Sequence, residues 1–355
     1  MRVELIRRPL PSPAMAWATP PLAVLLTMLA GAALFSLLGY DGPAAVREIF
    51  LTPVLSRDTW QDLAIKAAPL ILIAVGLGIG FRAGVWNIGA EGQYIAGGLA
   101  GTGVALATWE MQGVWILPAM VVAGVLGGMA WAAVPALLRT RLQVNEILTT
   151  LMLTYVAVQL LNYLMRGPWR DPQGFGFPQT RLFTEWQVLP LLPGTFVHIG
   201  AVVALGVALL AWFVMARTVF GLRVRTVGAA PAAARHAGFG EGDTVWATLL
   251  LSGGLAGLAG IFEAAGPFAQ MVPQFPTGYG FTAIIVAFLG RLHPIGAVLA
   301  GLVLAVSYVG GEIAQSSLGL PAAAAGVFQA LMLFFLLGAD VLVRYRLVLT
   351  QRVRP

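Results

Sequence analysis

The chain has 355 residues, of which 59% are hydrophobic and only 10% charged, and its mean hydropathy is +0.85. A soluble domain carries about 25% charged residues, so a soluble enzyme, a nucleic-acid binder and a disordered chain are all excluded. Roughly 210 apolar residues fill about ten membrane-crossing helices of ~20 residues each. The net charge of +6 sits in basic residues scattered between apolar runs, where it reads as a topology signal. There is no cysteine, which removes disulfides, thiolate metal sites and Cys nucleophiles.

At the N-terminus, Arg2, Arg7 and Arg8 precede an apolar run over Leu22–Leu38. That run is longer than a signal-peptide core and is not ended by a small-residue cleavage site, so it reads as a retained first transmembrane helix. Charges, prolines and Gly-rich turns then delimit ten apolar runs: Trp17–Leu38, Leu63–Phe81, Gly92–Thr108, Val114–Leu138, Ile147–Leu164, Phe196–Met215, Thr244–Ala265, Tyr279–Leu289, Ile295–Ile313 and Ala322–Val343. The eighth is short for a span, and Gly266–Gly278 before it holds three prolines. It is expected to be a broken or re-entrant element buried in protein, the setting that irregular backbone needs at membrane depth. The fold class is therefore an all-α integral membrane protein of about ten transmembrane helices.

Arginine placement supports that count. With a cytoplasmic N-terminus, the inner side receives Arg2, Arg7, Arg8, Arg82, Arg139, Arg141, Arg217, Arg223, Arg225, Arg235, Arg291, Arg344, Arg346, Arg352 and Arg354. The outer side receives Arg47, Arg57, Lys66, Arg166, Arg170 and Arg181, giving 15 against 6, in the sense of the positive-inside rule. Residues 1–16 are then a cytoplasmic segment, 17–343 a single polytopic transmembrane domain, and 344–355 a cytoplasmic tail.

Two long polar loops stand out. The outer one, 166–193, is rich in Pro, Gly and aromatics, including Trp169 and Trp186. The inner one, 217–243, is punctuated by Gly221 and Gly228. Pro231 can start a helix, because its missing N–H is not needed in the first turn, and Gly238 can stop it. The spacing predicts a short helix outside the membrane, and an Ala-rich surface loop is the plainer alternative. Glycines spaced by four (Gly76/Gly80, Gly97/Gly101, Gly124/Gly128, Gly253/Gly257) favour close helix packing but identify no partner. The pentapeptide GGLAG, at Gly97–Gly101 and again at Gly253–Gly257, reads as a coincidence of composition.

Several chemistries have no support. Lys66 is the sole lysine and belongs to no phosphate-binding loop, so an ATP-driven process would need an ATPase on another chain. His198, His236 and His293 are dispersed without metal-ligand spacing, and no Gly-x-Ser-x-Gly elbow is present. No catalytic residue and no metal ligand is assigned. An ion-coupled carrier would need carboxylates deep in the membrane, and Glu263, Glu312 and Asp340 sit only near helix ends, where a neighbour or water satisfies them.

The segment Arg82–Gln93, RAGVWNIGAEGQ, is more informative. Asn87, Glu91 and Gln93 lie among Gly84, Gly89 and Gly92, so the backbone is expected to break there. A polar cavity wall and a tight cytoplasmic turn both remain open. Asn145 and Glu146 pose the same choice, since Asn145 can simply cap the helix that follows.

At these residues a resemblance appears. Gly80–Gly92, GFRAGVWNIGAEG, resembles the hallmark segment of permease subunits of bacterial ABC importers for simple sugars and nucleosides, a family that includes ribose and branched-chain amino acid permeases. The match continues at Val144–Tyr155 (VNEILTTLMLTY), Gly221–Gly238 (GLRVRTVGAAPAAARHAG), Gly278–Gly301 and Ala339–Arg346. The wording is most similar to the longer permease of nucleoside importers, with the ribose branch next. The resemblance implies a subunit without catalysis of its own in the bacterial inner membrane, both termini cytoplasmic, that forms a pathway for nucleosides or a related sugar. It implies as partners an ATPase carrying ATP and Mg, a second and shorter permease, and an extracytoplasmic substrate-binding lipoprotein. It makes 217–243 a coupling loop that docks on the ATPase through Arg223, Arg225, Val227, Gly228, Pro231, Ala233, Arg235 and Gly238. The residues expected near the pathway are Trp86, Asn87, Glu91 and Gln93, with Asn145, Glu146 and Phe281 behind them. An ion-coupled secondary transporter is the alternative from another class.

Overall fold

A computed structural model describes residues 2–10 and 12–350. Arg352 and Arg354, and with them the end of the 344–355 tail, lie outside the described residues. In chain order the elements are β1 (Arg2–Arg7), α1 (Pro13–Leu37), α2 (Gly42–Val46), a π turn (Arg47–Leu51), α3 (Thr52–Leu55), α4 (Trp60–Arg82), α5 (Ala90–Ala107), α6 (Ile116–Leu142) and α7 (Glu146–Arg166). There follow α8 (Gly200–Arg217), α9 (Val219–Ala229), α10 (Pro231–His236), α11 (Glu241–Ala265), α12 (Tyr279–Leu289), α13 (Pro294–Leu318), α14 (Ala324–Arg344) and β2 (Tyr345–Thr350). Each of the ten apolar runs becomes a helix. Eight of these, α1, α4, α6, α7, α8, α11, α13 and α14, are long and apolar enough to cross a membrane. The protein is a multi-pass, helical membrane protein.

The chain divides into two compact units, one of residues up to Trp60 together with Val306 onward, the other of Gln61–Ala305. In the first, Ser12 caps α1 by accepting from the Met15 N–H at 3.4 Å, and Pro13 occupies the first helical turn. One stripe of α1, Thr19, Ala23, Thr27, Gly31 and Phe35, is buried. The Phe35 ring stacks on Phe328 of α14 at 5.4 Å, and Gly31 leaves room for that ring where any Cβ would collide. The two strands pair antiparallel from Arg2↔Thr350 to Arg7↔Tyr345, and the Arg8 N–H donates to the Arg344 carbonyl at 2.7 Å. This ribbon was not anticipated, because two six-residue strands at opposite ends of the chain have no turn between them to announce the pairing. It places both ends of the described chain side by side.

In the second unit, α4 is buried without interruption from Ala67 to Phe81, and α5 and α11 are nearly as enclosed. Here the glycine spacing finds its partners. A Cβ on Gly97 would strike the backbone of Gly257, one on Gly128 the Gly253 carbonyl, and one on Gly257 the Gly124 carbonyl. The two GGLAG copies therefore face each other across α5 and α11, with the α6 pair Gly124/Gly128 as the third side. Composition supplied the glycines, but helix–helix contact without side chains explains their positions.

The eighth run is composite. α12 has 11 residues, about 16 Å of helix at 1.5 Å per residue, against a hydrocarbon core of ~30 Å. The irregular segment 266–278 precedes it and runs antiparallel to α5. A Cβ on Gly98 would meet Phe275 at 2.7 Å and Met271 at 3.1 Å, and the Tyr94 ring stacks on Phe275 at 4.7 Å. Met271 and Phe275 are fully buried, and Thr180 of the 166–199 connection bonds Met271 through both its N–H and its hydroxyl. The broken element expected from three prolines is thus packed against α5 and the 166–199 connection through Met271 and Phe275, while Pro267 and Gln274 are exposed.

Candidate functional site

α4 ends at Arg82 and α5 begins at Ala90, and Gly84 between them adopts φ +74°, a conformation that costs a Cβ-bearing residue. The seven intervening residues are hydrogen-bonded to α5, α7 and α11. Asn87 and Gln93, 1% exposed each, exchange amide hydrogen bonds: Asn87 Nδ2 donates to Gln93 Oε1 at 2.7 Å, and Gln93 Nε2 donates back to Asn87 Oδ1 at 3.1 Å. Asn87 Nδ2 also donates to Ser252 Oγ of α11 at 3.0 Å. The Trp86 N–H donates to Glu146 of α7 at 3.3 Å, and the Ile88 N–H to Thr150 Oγ1 at 3.2 Å. Glu146 is paired in turn with Arg139 of α6.

Glu91 serves the broken helix. Its two carboxyl oxygens accept from the Gly278 N–H at 2.9 Å and the Gly280 N–H at 2.6 Å. Those donors open α12, where a helix has no internal partners for its first N–H groups. Gly278 reaches the junction at φ +81°, and Gly280 lies so close to the Glu91 backbone that a side chain would not fit. Glu263, at the far end of α11, is not solvated. It is buried and bonded to Tyr279 of α12, with Lys66 supplying the nearby positive charge.

The structure brings Trp86, Asn87, Glu91, Gln93 and Glu146 together. Of these, Asn87, Glu91 and Gln93 have their polar groups bonded within the protein, whereas Trp86 is 38% exposed and Phe281 of α12 is 40% exposed. Trp86 lies against Phe81 at 5.0 Å and Phe288 at 6.2 Å. Asn145 stands apart, exposed, its side chain accepting from the Ile147 N–H at 2.8 Å as the cap of α7. Ser252, Thr150, Arg139 and the α12 N–H groups escaped the sequence reading, since nothing local in the chain links positions so far apart.

The inner loop is two helices rather than one. Gly221 and Gly228, expected as punctuation, lie inside α9, where each meets backbone that a Cβ would strike. For Gly221 this is the Met215 carbonyl, for Gly228 the Arg82 carbonyl at the end of α4. α10 occupies the predicted place, from Pro231 to His236, and Gly238 follows it at φ +80°. Val227 is on the buried face of α9. Arg223 donates to Thr244 Oγ1 at 2.8 Å and lies 3.8 Å from Asp243, while Arg225 donates to the Gly221 carbonyl at 3.2 Å. Pro231, Ala233 and Arg235 are exposed, with only Ala234 turned inward. His293, after α12, accepts from the Ile295 N–H; partial burial and then the Arg82 charge hold it below the usual histidine range. Among the described residues no cluster of His, Asp or Glu has the makings of a metal site.

Membrane-length helices packed around a buried polar junction, with a short exposed helix three residues beyond the Gly228 contact to it, are the features of a membrane transport component. The chain belongs to the family described as the permease component of the branched-chain amino acid transport system, whose profile matches residues 60–337. The glucose ABC transporter permease TsgB13 of Haloferax volcanii is 38% identical over 360 residues, covering 98% of this chain and 94% of that one. The guanosine ABC transporter permease NupP of Bacillus subtilis is 28% identical over 329 residues, 89% and 91% of the two chains. A second guanosine permease of that organism, NupQ, is 29% identical over 244 residues, 67% and 76%. This protein is a permease subunit of an ABC transporter, and such subunits have no catalytic activity of their own.

Proposed function

We propose that the chain forms half of the solute pathway of an importer for a hexose or a nucleoside, solutes that share a sugar ring. The names of the relatives support that class: one glucose permease at higher identity, two guanosine permeases at lower. ATP and Mg are held by a separate ATPase chain. The alignment of two guanosine permeases from one organism favours pairing with a second permease, and a substrate-binding lipoprotein delivers solute to the 166–193 loop. There Phe175 and Phe177 are 98% and 65% exposed, more available than Trp169 and Trp186. The chain crosses the bacterial inner membrane ten times with both termini cytoplasmic: the eight long helices, α5, and the composite of 266–278 with α12. Residues 17–343 act as one permease domain.

One observation carries the mechanism: Gly228 of α9 rests on the Arg82 carbonyl, at the residue where the polar junction begins. α10 presents Pro231, Ala233 and Arg235 to the ATPase, and Arg223, Arg225, Val227 and Gly238 fix its attachment. Movement of α10 is passed through α9 to the end of α4, and from there by Asn87, Gln93, Glu91 and Glu146 to α11, α12 and α7. Trp86 and Phe281 face the solute, and the bonded residues shape the pathway from behind. In vesicles holding the full complex, uptake of labelled glucose or guanosine should need ATP and should cease when residues 231–236 are scrambled. Uptake that persists without ATP, on an ion gradient alone, would overturn the reading.

A further inference from the structure

α7 is the least apolar of the eight membrane-length helices, and its polarity is not random. The face made by Glu146, Thr150, Thr154, Ala157, Leu161 and Met165 is buried in the second unit. On the opposite face, in the last three turns, stand Tyr155, Gln159, Asn162, Tyr163 and Arg166, the first and fourth 61% and 67% exposed. Gln159, Asn162, Tyr163, Arg166 and Gly167, all on α7 or just past its end, line one open surface hollow. Asn162 Nδ2 donates to the Val158 carbonyl at 2.9 Å. Among the described residues, neither the Gln159 amide nor the Arg166 guanidinium has a hydrogen-bond or ion-pair partner. Gln159 lies seven residues before the end of a helix long and apolar enough to cross a membrane, ~10 Å along its axis.

Lipid offers no partner to an amide, so polar groups on membrane helices turn toward protein or a wet cavity. Here three turns of them turn away from their own core. Resting on the permease reading above, we infer that this face of α7 is a second solute-contacting surface, lining the outer half of the pathway and taking a neutral, polyhydroxylated solute. Amides both donate and accept, as hydroxyl groups do, and the flanking tyrosine rings cover the apolar face of a sugar ring. The lining contains no carboxylate, which disfavours cations, and its one charge, Arg166, sits at the mouth.

The absence of cysteine allows a direct test in the assembled complex with ATPase, second permease and binding protein, reconstituted in vesicles. Gln159→Cys and Asn162→Cys should react with a charged, membrane-impermeant thiol reagent at least about tenfold faster than Leu160→Cys on the flank. Glucose or guanosine delivered during turnover should slow that reaction. Gln159→Ala should lower uptake by about three- to tenfold, the usual weight of one lost hydrogen bond. Labelling no faster than at Leu160, labelling unaffected by solute but blocked by anionic lipid, or Gln159→Ala uptake equal to wild type would each overturn the inference. The permease reading is tested separately by the unsubstituted complex, whose ATP-dependent uptake does not depend on what these variants do.

Discussion

Removing the Glu91 side chain should loosen the broken helix more than any other single truncation at the junction. In Glu91→Ala the N–H groups of Gly278 and Gly280, bonded at 2.9 and 2.6 Å, lose their acceptors in a site where Glu91 is only 2% exposed. Gly280 is buried and Gly278 half-buried, so each orphaned N–H costs about 1–3 kcal/mol, the Gly278 group toward the lower end, or roughly 2–6 kcal/mol together. Glu91→Gln keeps one carbonyl oxygen and sets an amide against the second donor, so its cost should be about half. The assay is thermal unfolding of the purified complex in detergent, followed by circular dichroism. A domain of this size shifts by ~2–4 °C per kcal/mol, so Glu91→Ala should lower the midpoint on the order of 10 °C and Glu91→Gln by less. A Glu91→Ala midpoint within about 2 °C of wild type, or equal loss in both variants, would refute the capping role.

Other expectations follow from the same geometry. Gly257→Val should prevent stable assembly, since its Cβ would meet the Gly124 carbonyl, whereas Gly206→Val, where a Cβ meets open space, should purify in wild-type yield. Trp86→Ala should cut uptake by about tenfold with little loss of thermal stability, because the ring is partly exposed and aromatic stacking is worth ~1 kcal/mol beyond area. His198 lies outside the membrane-length helices, and burial lowers its pKa from the usual 6.5. The folded protein therefore binds fewer protons there than the unfolded chain, and stability should fall as pH drops below about 6.5. A thermal midpoint that falls equally between pH 7.5 and 5.5 in wild type and His198→Phe would contradict that assignment.

Where local chemistry decides the backbone, the sequence was readable. Pro231 in a first turn and Gly238 at positive φ mark α10 without tertiary information, and the three prolines of 266–278 announce a break. The reading ran short where a residue's role depends on a distant partner. At Asn87 and Gln93 a cavity wall and a tight turn both stayed open, because polar residues beside glycines look the same whether they face solute or each other. Only the approach of Ser252 closes the network. Gly221 and Gly228 looked like breakers because intrinsic propensity penalises glycine in helices, but contact with the Met215 and Arg82 carbonyls overrides that cost. The GGLAG copies on α5 and α11 were visible as words and meaningless until the helices were placed face to face.

The central claim is that force from α10 enters the junction through Gly228. The most direct measurement is solute imported per ATP hydrolysed, in vesicles carrying the complete complex with Gly228→Val. A valine there must push α9 off the Arg82 carbonyl, so ATP turnover should continue while transport per ATP falls by about tenfold or more. An unchanged ratio would mean that α9 and the junction are not connected.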